Sequence, residues 1–301
     1  MDIQKIIDEE AKKRNLTAST KKIYLTNINR LIEANNLGDI TSWNFLNSSK
    51  TEAKLEGYAP ATLAQYYASI LVFLGADPKK NKKLIKKFIL LLDESNDKAK
   101  AGPRRKNAED LPSWQDIIDL RDELGAEVEP LWSKKKPSPA NMKKLQDYVI
   151  MCLYTMIPPR RNDYADMEIV RNGNEATTDN YLRVKSASKL TFYIDDYKTV
   201  KTNGEIVEQV KNPLLKVLKK WVTFDSNRYL LTGVNGKPMS ANMITKTLLR
   251  ITKNLSTPVS SGHLRIIYVS DKYEKVMSDI KKDAKSMGHS VETAIDAYIA
   301  D

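Results

Sequence analysis

A tyrosine and a histidine near the end of the chain have the types and the spacing for chemistry on a phosphate. Tyr298 lies nine residues after His289, and the sequence MGHSVETAIDAYIAD predicts a short helix between them, with Ser290 as its N-cap. The 301-residue chain has one other histidine, His263, so acid–base chemistry near neutral pH is expected toward the C-terminus. Tyr298 is either a core residue of this helix or a nucleophile carried on it.

The positive charge of the chain indicates which kind of partner it can bind. Lys and Arg number 49 against 38 Asp and Glu, which gives a formal net charge of +11 and a pI of about 9.3. Such a surface favours a polyanion, most often nucleic acid, with simple solubility or an anionic membrane as the alternatives. No apolar run in the sequence approaches the ~18 residues of a membrane-spanning helix. The charged N-terminal segment also lacks the apolar core of a signal peptide.

The single cysteine, Cys152, lies in the apolar run YVIMCLY and is predicted to be a core residue. One cysteine cannot form an internal disulfide, which favours a reducing compartment inside the cell, either the cytoplasm or the nucleus. It also leaves no cysteine cluster that could hold zinc.

Residues 1–95 are predicted to be helical throughout and to form the first domain. One helix is expected to open near Pro60 and to close at Gly75, since proline suits a first helical turn and glycine a helix end. The next helix carries lysines on one face, which is either solvated or in contact with a DNA backbone. These lysines are Lys79, Lys80, Lys82, Lys83, Lys86 and Lys87.

Residues 96–111 break the helical pattern and are predicted to be a basic linker between two domains. The segment is polar and contains Gly102-Pro103, which is a strong turn signal. Its cations are candidate contacts to DNA phosphates, with ordinary exposure on a linker as the alternative. They are Arg104, Arg105 and Lys106.

Residues 112–301 are predicted to form the second domain. Helices are expected to begin at Ser113 and at Ser138, and the latter helix is almost wholly apolar in its second half. Another helix is expected over residues 160–167. The chain is expected to finish with the segments SSGHLRIIYVSDKY and EKVMSDIKKDAKSM and then the tyrosine helix.

The strands of this domain are expected within residues 181–210, where apolar and polar residues alternate. Asn203-Gly204 separates two of the strand-like runs and predicts a hairpin turn. The predicted fold class is therefore mainly α with a small antiparallel sheet, which is an α+β architecture.

Four features occur in a fixed order through the second domain. Arg160 follows the buried helix, Lys198 precedes the hairpin turn, Arg265 opens a late helix, and His289 and Tyr298 come last. This order and spacing resemble the catalytic domain of the tyrosine recombinases, the phage-integrase-type site-specific recombinases. Three boxes carry the resemblance: PPRRND, with Asp163 at the acidic position, GHLRIIYVS, and MGHSVETAIDAY.

The resemblance extends to most of the chain. The PPRR form of the first box is similar to integrases of large DNA viruses and of eukaryotic mobile elements. By helix content and size, residues 1–95 are similar to the SAM-like core-binding domain of this family.

The resemblance implies roles for the cations. Arg160 and Arg265 would bind the scissile phosphate, because a guanidinium donates two parallel hydrogen bonds and keeps its charge. Arg161 competes with Arg160 for this role. Lys198 would protonate the leaving 5′ oxygen, with Lys201 as the alternate.

The resemblance also implies that Tyr298 is the nucleophile. A phenol has a pKa of about 10, so it attacks phosphorus only where its proton is removed or the phenolate is stabilised. His289 would hydrogen-bond the phosphate or help to relay that proton. This chemistry needs no metal and no cofactor, since the arginines neutralise charge and the phosphotyrosine conserves the bond energy.

The chain departs from the family at two places. Three residues before Arg265, where the family has His or Lys, this sequence has Gly262. Either His263 substitutes through a shifted helix start or the site functions without this group. Only three residues follow Tyr298, so any element exchanged between subunits is expected to be the tyrosine helix itself, unless subunits meet elsewhere.

The resemblance implies an enzyme that cleaves and rejoins double-stranded DNA through a 3′-phosphotyrosine intermediate. It implies a homo-tetramer that works on two DNA sites and exchanges strands through a Holliday junction. Two alternatives remain at this point. One is a type IB topoisomerase or a telomere-resolvase-like enzyme, and the other is a non-catalytic DNA-binding protein on the same fold.

Overall fold

The computed structural model describes residues 1–102, 110–134, 137–171, 173–186, 189–224, 227–233 and 236–291. The chain divides into two compact units, Met1–Arg105 and Lys106–Asp301. Arg104, Arg105, Lys106 and Tyr298 lie outside the described ranges. Within those ranges, no helix has both the length and the apolar character needed to cross a membrane.

The first unit is helical, as predicted. Its helices are α1 (Ile3–Lys13), α2 (Ala18–Ala34), α3 (Ser49–Leu55), α4 (Pro60–Leu74) and α5 (Lys82–Ala101). Helix α4 is the most buried and packs against α2 and α5, with Phe73 meeting Trp43 edge-to-face at 4.6 Å between ring centroids. Its predicted start at Pro60 and end at Gly75 are confirmed. On the lysine face of α5, Lys87 pairs with Glu52 at 3.3 Å.

The helical pattern does not break at residue 96 as predicted, because α5 continues to Ala101. Polarity alone does not end a helix, and Glu94 and Lys98 form an ion pair of 2.7 Å four residues apart along it. Basic residues in the last turn also suit the negative end of the helix dipole. The helix ends only at Gly102, whose N–H donates to the carbonyl of Lys98.

The second unit contains the remaining helices and the strands. The helices are α6 (Trp114–Val128), α7 (Pro139–Thr155), α8 (Val200–Asn203), α9 (Leu214–Phe224), α10 (Ala241–Ile251) and α11 (Ser261–Ser286). The strands are β1 (Glu168–Arg171), β2 (Asn180–Ser186), β3 (Lys189–Ile194) and β4 (Ile206–Gln209). Ser113 and Ser138 cap α6 and α7 as predicted, each accepting a bond from the backbone three residues on. Helix α7, which includes Cys152, is buried in its second half.

The four strands form one mixed sheet in the order β1-β2-β3-β4. Strands β2, β3 and β4 pair antiparallel, but β1 runs parallel to β2, so the prediction of a purely antiparallel sheet is wrong. The sequence does not predict β1, because its four residues, EIVR, contain only two apolar positions, and so short a run does not distinguish a strand from part of a helix.

The helix expected over residues 160–167 is absent from these described residues, which form a turn leading into β1. The N–H of Ala165 donates to the carbonyl of Asn162 at 2.9 Å, and Asp166 adopts φ 54°. Its N–H then donates to the carbonyl of Met239 at 3.1 Å. A left-handed residue and a backbone bond to a distant segment are both incompatible with helix continuation.

Strands β3 and β4 form the predicted hairpin, but the predicted two-residue turn at Asn203-Gly204 is wrong. The connection covers residues 195–205 and includes the single-turn helix α8. Gly204, at φ 71°, ends α8, and its carbonyl accepts a 2.7 Å bond from the hydroxyl of Tyr197. The left-handed glycine therefore terminates a helical turn rather than closing a tight hairpin.

Helix α11 is one continuous helix of 26 residues, where the sequence analysis expects two segments. It ends in a Schellman motif: Gly288 adopts φ 73°, its N–H donates to Lys285, and the N–H of His289 donates to the carbonyl of Ala284. The Gly-His pair of the third sequence box thus has a structural role at the end of α11.

Candidate active site

A pocket of about 340 Å³ in the second unit brings together three of the predicted site residues, Arg160, Lys198 and Arg265. They come from three separate segments: the turn after α7, the connection between β3 and β4, and the first turns of α11. The rest of the lining is formed by Ile157, Pro158, Pro159, Arg161, Asp163, Tyr197, Thr199 and Glu208. Lys201, the alternate to Lys198, is exposed on α8 and does not line this pocket.

The turn that carries Arg160 and Arg161 rests on two fully buried tyrosines. The hydroxyl of Tyr154, on α7, donates to the carbonyl of Arg161 at 2.5 Å. The hydroxyl of Tyr164 donates to the carbonyl of Leu153 at 3.3 Å, and the two rings meet edge-to-face at 5.5 Å. The proline pair ends α7, and these aromatic side chains then hold the backbone of the arginine turn against that helix.

Arg160 is already paired within the protein. Its Nη2 donates to Oε2 of Glu208 on β4 at 2.7 Å, and the Arg160 side chain is only 19% exposed. Glu208 was not identified from the sequence. A usable signal exists, because Glu208 occupies the same strand face as the apolar Ile206.

The pocket has an excess of positive charge. Its lining includes four basic side chains, Arg160, Arg161, Lys198 and Arg265, and two acidic ones, Asp163 and Glu208. A surplus of two positive charges in a concave site suits a phosphate group, since guanidiniums bind phosphate oxygens in pairs.

Asp163 lies at the centre of this charge distribution. Burial raises the pKa of its carboxyl above the usual 3.8, while Arg160, Arg265 and Arg161 act in the opposite direction and Asp196 adds to the increase. Three guanidiniums within electrostatic reach of one carboxyl show that the arginine turn and α11 converge here. Asp163 interacts with these arginines electrostatically, whereas the ion pair of Arg160 is formed with Glu208.

Asn180, the first residue of β2, connects two of the segments that form the pocket. It is 8% exposed and its side-chain amide makes four hydrogen bonds. Nδ2 donates to the carbonyls of Asp163 (3.1 Å) and Asp196 (2.9 Å), and Oδ1 accepts from the N–H groups of Asp195 (3.0 Å) and Asp196 (2.8 Å). It belongs to no sequence motif, although an asparagine on the buried face of a strand is an unusual choice.

His263 does not line the pocket. Its N–H donates to Oγ of Ser260, and its Nδ1 accepts from the N–H of Ser260 at 3.4 Å, which makes a capping box at the start of α11. The structure therefore places His263 in the cap of α11 and outside the pocket, instead of the position that a shifted helix start would give it. A Cβ at Gly262 would meet only Oγ of Ser260, at 3.6 Å, so a side chain is sterically possible there.

His289 does not meet Arg265 in this conformation. Arg265 lies in the first turns of α11 and His289 follows its last turn. At 1.5 Å per residue an unbroken helix separates them by about 30 Å. The structure therefore brings together the two arginines and the lysine but not the histidine, and Tyr298 lies outside the described residues.

In the part of the chain that the structure describes, no group of His, Cys, Asp and Glu side chains is arranged to hold a metal ion. No protein-family model and no curated protein matches this chain.

Proposed function

We propose that this protein is a DNA strand-transferring enzyme of the tyrosine-recombinase type, which cleaves and rejoins duplex DNA through a 3′-phosphotyrosine at Tyr298. The single observation that carries the proposal is the shared pocket of Arg160, Lys198 and Arg265. These residues are far apart in sequence, and the motif order predicts them independently of the pocket. A common phosphate ligand accounts for their meeting.

The scissile phosphate binds between Arg160 and Arg265. Attack on phosphorus increases the charge on the two non-bridging oxygens, and preorganised cationic donors stabilise that charge more than the ground state. Glu208 engages one Nη of Arg160. A guanidinium has five N–H donors, so other donors of Arg160 stay available to the phosphate while Glu208 holds its orientation.

Lys198 is the general acid. The phenolic oxygen of Tyr298 forms a bond to phosphorus, the bond from phosphorus to the 5′ oxygen breaks, and the Lys198 ammonium donates its proton to that oxygen. The phenolic proton passes to His289 or to water. Religation is the reverse, with the 5′ hydroxyl as the nucleophile and Tyr298 as the leaving group.

The nucleophile of one copy reaches the pocket of another copy. This part of the proposal is supported by the separation of about 30 Å along α11 between Arg265 and His289. It is also supported by an exposed apolar stripe, Val269, Tyr273 and Val276, which continues along the helix face of Arg265. A second copy that covers this stripe delivers its C-terminal segment beside the pocket. The assembly expected for such an exchange is a homo-tetramer on two DNA sites.

The first unit and the basic segment at Arg104, Arg105 and Lys106 supply sequence-independent affinity for duplex DNA. The formal charge of +11 supports this role. Affinity that comes from phosphate contacts falls steeply with salt. Measuring duplex binding across a salt series, with the three cations replaced by glutamine, tests it, because the variant should show both weaker binding and a shallower salt slope.

The decisive experiment traps the covalent intermediate. Full-length protein is incubated with a pool of nicked duplexes randomised across the cleavage position, and SDS-stable adducts are isolated and sequenced. We expect an adduct in which the protein is joined to the 3′ phosphate at the break, lost in Tyr298→Phe, with the modified peptide containing Tyr298. An adduct that survives in Tyr298→Phe, or none with wild type despite DNA binding, contradicts the proposal.

A non-catalytic DNA-binding protein is the second candidate, and a specific observation favours it. His263 caps α11 and Gly262 has no side chain, so the pocket lacks the imidazole or ammonium that the family places there. Duplex binding without any adduct favours this candidate. Relaxation of supercoiled plasmid at many sites favours a type IB topoisomerase instead.

A further inference from the structure

Asn180 is the one side chain that bonds to both the arginine turn and the beginning of the Lys198 loop among the hydrogen bonds of the described residues. Its amide has two N–H donors and an oxygen with two lone pairs. All four are used, and all four partners are backbone groups. A buried asparagine that satisfies its whole capacity on backbone is a rigid connection, since each bond restrains both segments.

The geometry of the four bonds shows what this connection restrains. Asp196 presents both its N–H and its carbonyl to the same amide, at 2.8 and 2.9 Å, as a neighbouring β-strand residue would. Asp195 gives a third bond at 3.0 Å. The fourth joins the carbonyl of Asp163, three residues after Arg160. The backbone two residues before Lys198 is thus tied to the backbone of the arginine turn.

We propose that Asn180 is a positioning residue that sets the placement of the Lys198 ammonium relative to the phosphate site at Arg160. The inference rests on the function proposed above and adds a residue that neither contacts the phosphate nor transfers a proton. Lys198 itself is exposed, on a loop of eleven residues whose other closing bond is Tyr197 to Gly204. Among the described residues the beginning of that loop has no other side-chain hydrogen bond to the arginine turn, so without the bonds of Asn180 the ammonium samples a wider range of positions.

Two substitutions at Asn180 remove different hydrogen bonds of this connection, which is called the Asn180 bridge below. Asn180→Leu keeps the branched shape and the number of heavy atoms of the side chain and removes all four bonds. Asn180→Asp keeps an acceptor for the two amides but removes both donors, and it tests the proposal if the leucine variant does not fold. Asn254→Asp is the matched control, because it makes the same charge change at an exposed residue that does not line the pocket.

The cleavage rate is compared on two substrates that differ in the leaving atom. A residue with a merely structural role should affect both rates equally. A 5′ bridging sulfur leaves without protonation, since a thiol is far more acidic than an alcohol. A variant whose defect lies in general-acid placement is slow on the oxygen substrate and recovers on the sulfur substrate. Arg160→Ala removes phosphate binding and should stay slow on both.

We expect Asn180→Asp and Asn180→Leu to form the covalent adduct about 10²-fold more slowly than wild type on the oxygen substrate, the typical effect of a misplacement near 1 Å. On the sulfur substrate both should come close to wild type, as should Lys198→Ala. In a Lys198→Ala background, the Asn180 substitutions should add nothing. Wild-type rates for the Asn180 variants on the oxygen substrate, or an equal loss on both substrates, overturn the proposal.

Hydrogen exchange at the Asp195 and Asp196 amides measures the bridge independently of catalysis. We expect both amides to exchange slowly in wild type and in Asn254→Asp and to lose protection in Asn180→Leu. If wild type forms no adduct on either substrate, the proposed function fails and the catalytic role of Asn180 fails with it. Unchanged protection in Asn180→Leu overturns the bridge itself, whether or not the protein cleaves DNA.

Discussion

Nη2 of Arg160 lies 2.7 Å from Oε2 of Glu208, so the first arginine of the phosphate site already carries a carboxylate partner. The arginine side chain is 19% exposed and the glutamate 41%. In this contact Arg160 binds a carboxylate that belongs to the protein itself. Its loss should change the affinity of the pocket for phosphate more than it changes folding, since a half-exposed pair contributes little stability.

Glu208→Gln should bind a nicked duplex about two- to fivefold more tightly than wild type, in line with the removal of a pair worth about 1 kcal/mol or less. Fluorescence anisotropy at fixed salt measures the change. Glu205→Gln removes the same charge at an exposed residue outside the pocket and should have a smaller effect. Weaker binding by Glu208→Gln would contradict this prediction, because it would mean that the orienting contact of Glu208 with Arg160 outweighs the repulsion between its carboxylate and the phosphate.

Tyr154→Phe should lower the free energy of unfolding by about 1–3 kcal/mol, because the substitution leaves the carbonyl of Arg161 without its buried donor. Urea denaturation followed by circular dichroism measures the loss. The same variant should slow adduct formation, since the arginine turn loses its contact with α7. Tyr273→Phe, at an exposed position on α11, is the control and should change stability by less than about 0.5 kcal/mol. Equal stability of the two variants would contradict the role given to Tyr154.

The raised pKa of Asp163 predicts a pH dependence of stability. Burial disfavours the ionised carboxyl, so the folded state holds the proton to higher pH than the unfolded state does. The free energy of unfolding should therefore carry a component that is present below the usual pKa of 3.8 and is lost as pH rises through the folded value. Asp163→Asn lacks this component.

Urea unfolding of wild type and Asp163→Asn across the acid range tests this expectation. The stability of the variant relative to wild type should increase as the pH is raised from acid to neutral. A difference between the two proteins that does not vary with pH would show that the Asp163 carboxyl ionises equally easily in both states.

Mixing two inactive variants tests delivery of the tyrosine between copies. Tyr298→Phe keeps an intact pocket, and Arg160→Ala keeps the nucleophile. If the tyrosine acts in a neighbouring pocket, the mixture should form an adduct although neither variant does so alone, and the DNA should be joined to the Arg160→Ala chain. Tags of different size on the two chains identify which one is modified. An inactive mixture, with both variants shown to bind DNA, means that each chain uses its own tyrosine.

Local signals predict several helix boundaries of this protein. Ser113 and Ser138 accept bonds from backbone amides within one turn, and Pro60 begins α4, so these starts depend only on nearby residues. Strand β1 is not predictable in this way. Its four residues have a parallel partner in β2, and so short a run does not indicate which partner it will find.

Most of the cationic part of the candidate site was predictable, but its neighbours were not. The motif order predicts Arg160, Lys198 and Arg265, and all three line one pocket. Glu208 and Asn180 belong to no motif, because each acts through a contact with a residue distant in sequence. For His263 the sequence and the structure differ. Its position near Arg265 in the sequence suggests a catalytic role, whereas its hydrogen bond with Ser260 caps the start of α11.

The types of the candidate side chains and their order along the chain belong to the sequence: two arginines, a lysine, a late histidine and a tyrosine on a basic, helix-rich chain. Their arrangement belongs to the fold, in which the first three border one pocket, a glutamate shares it, and His289 lies at the far end of α11. The two differ in the distance along the chain over which they are decided. Caps and helix faces depend on residues within a turn or two, whereas the pocket depends on strand pairing and on packing between residues that are far apart along the chain.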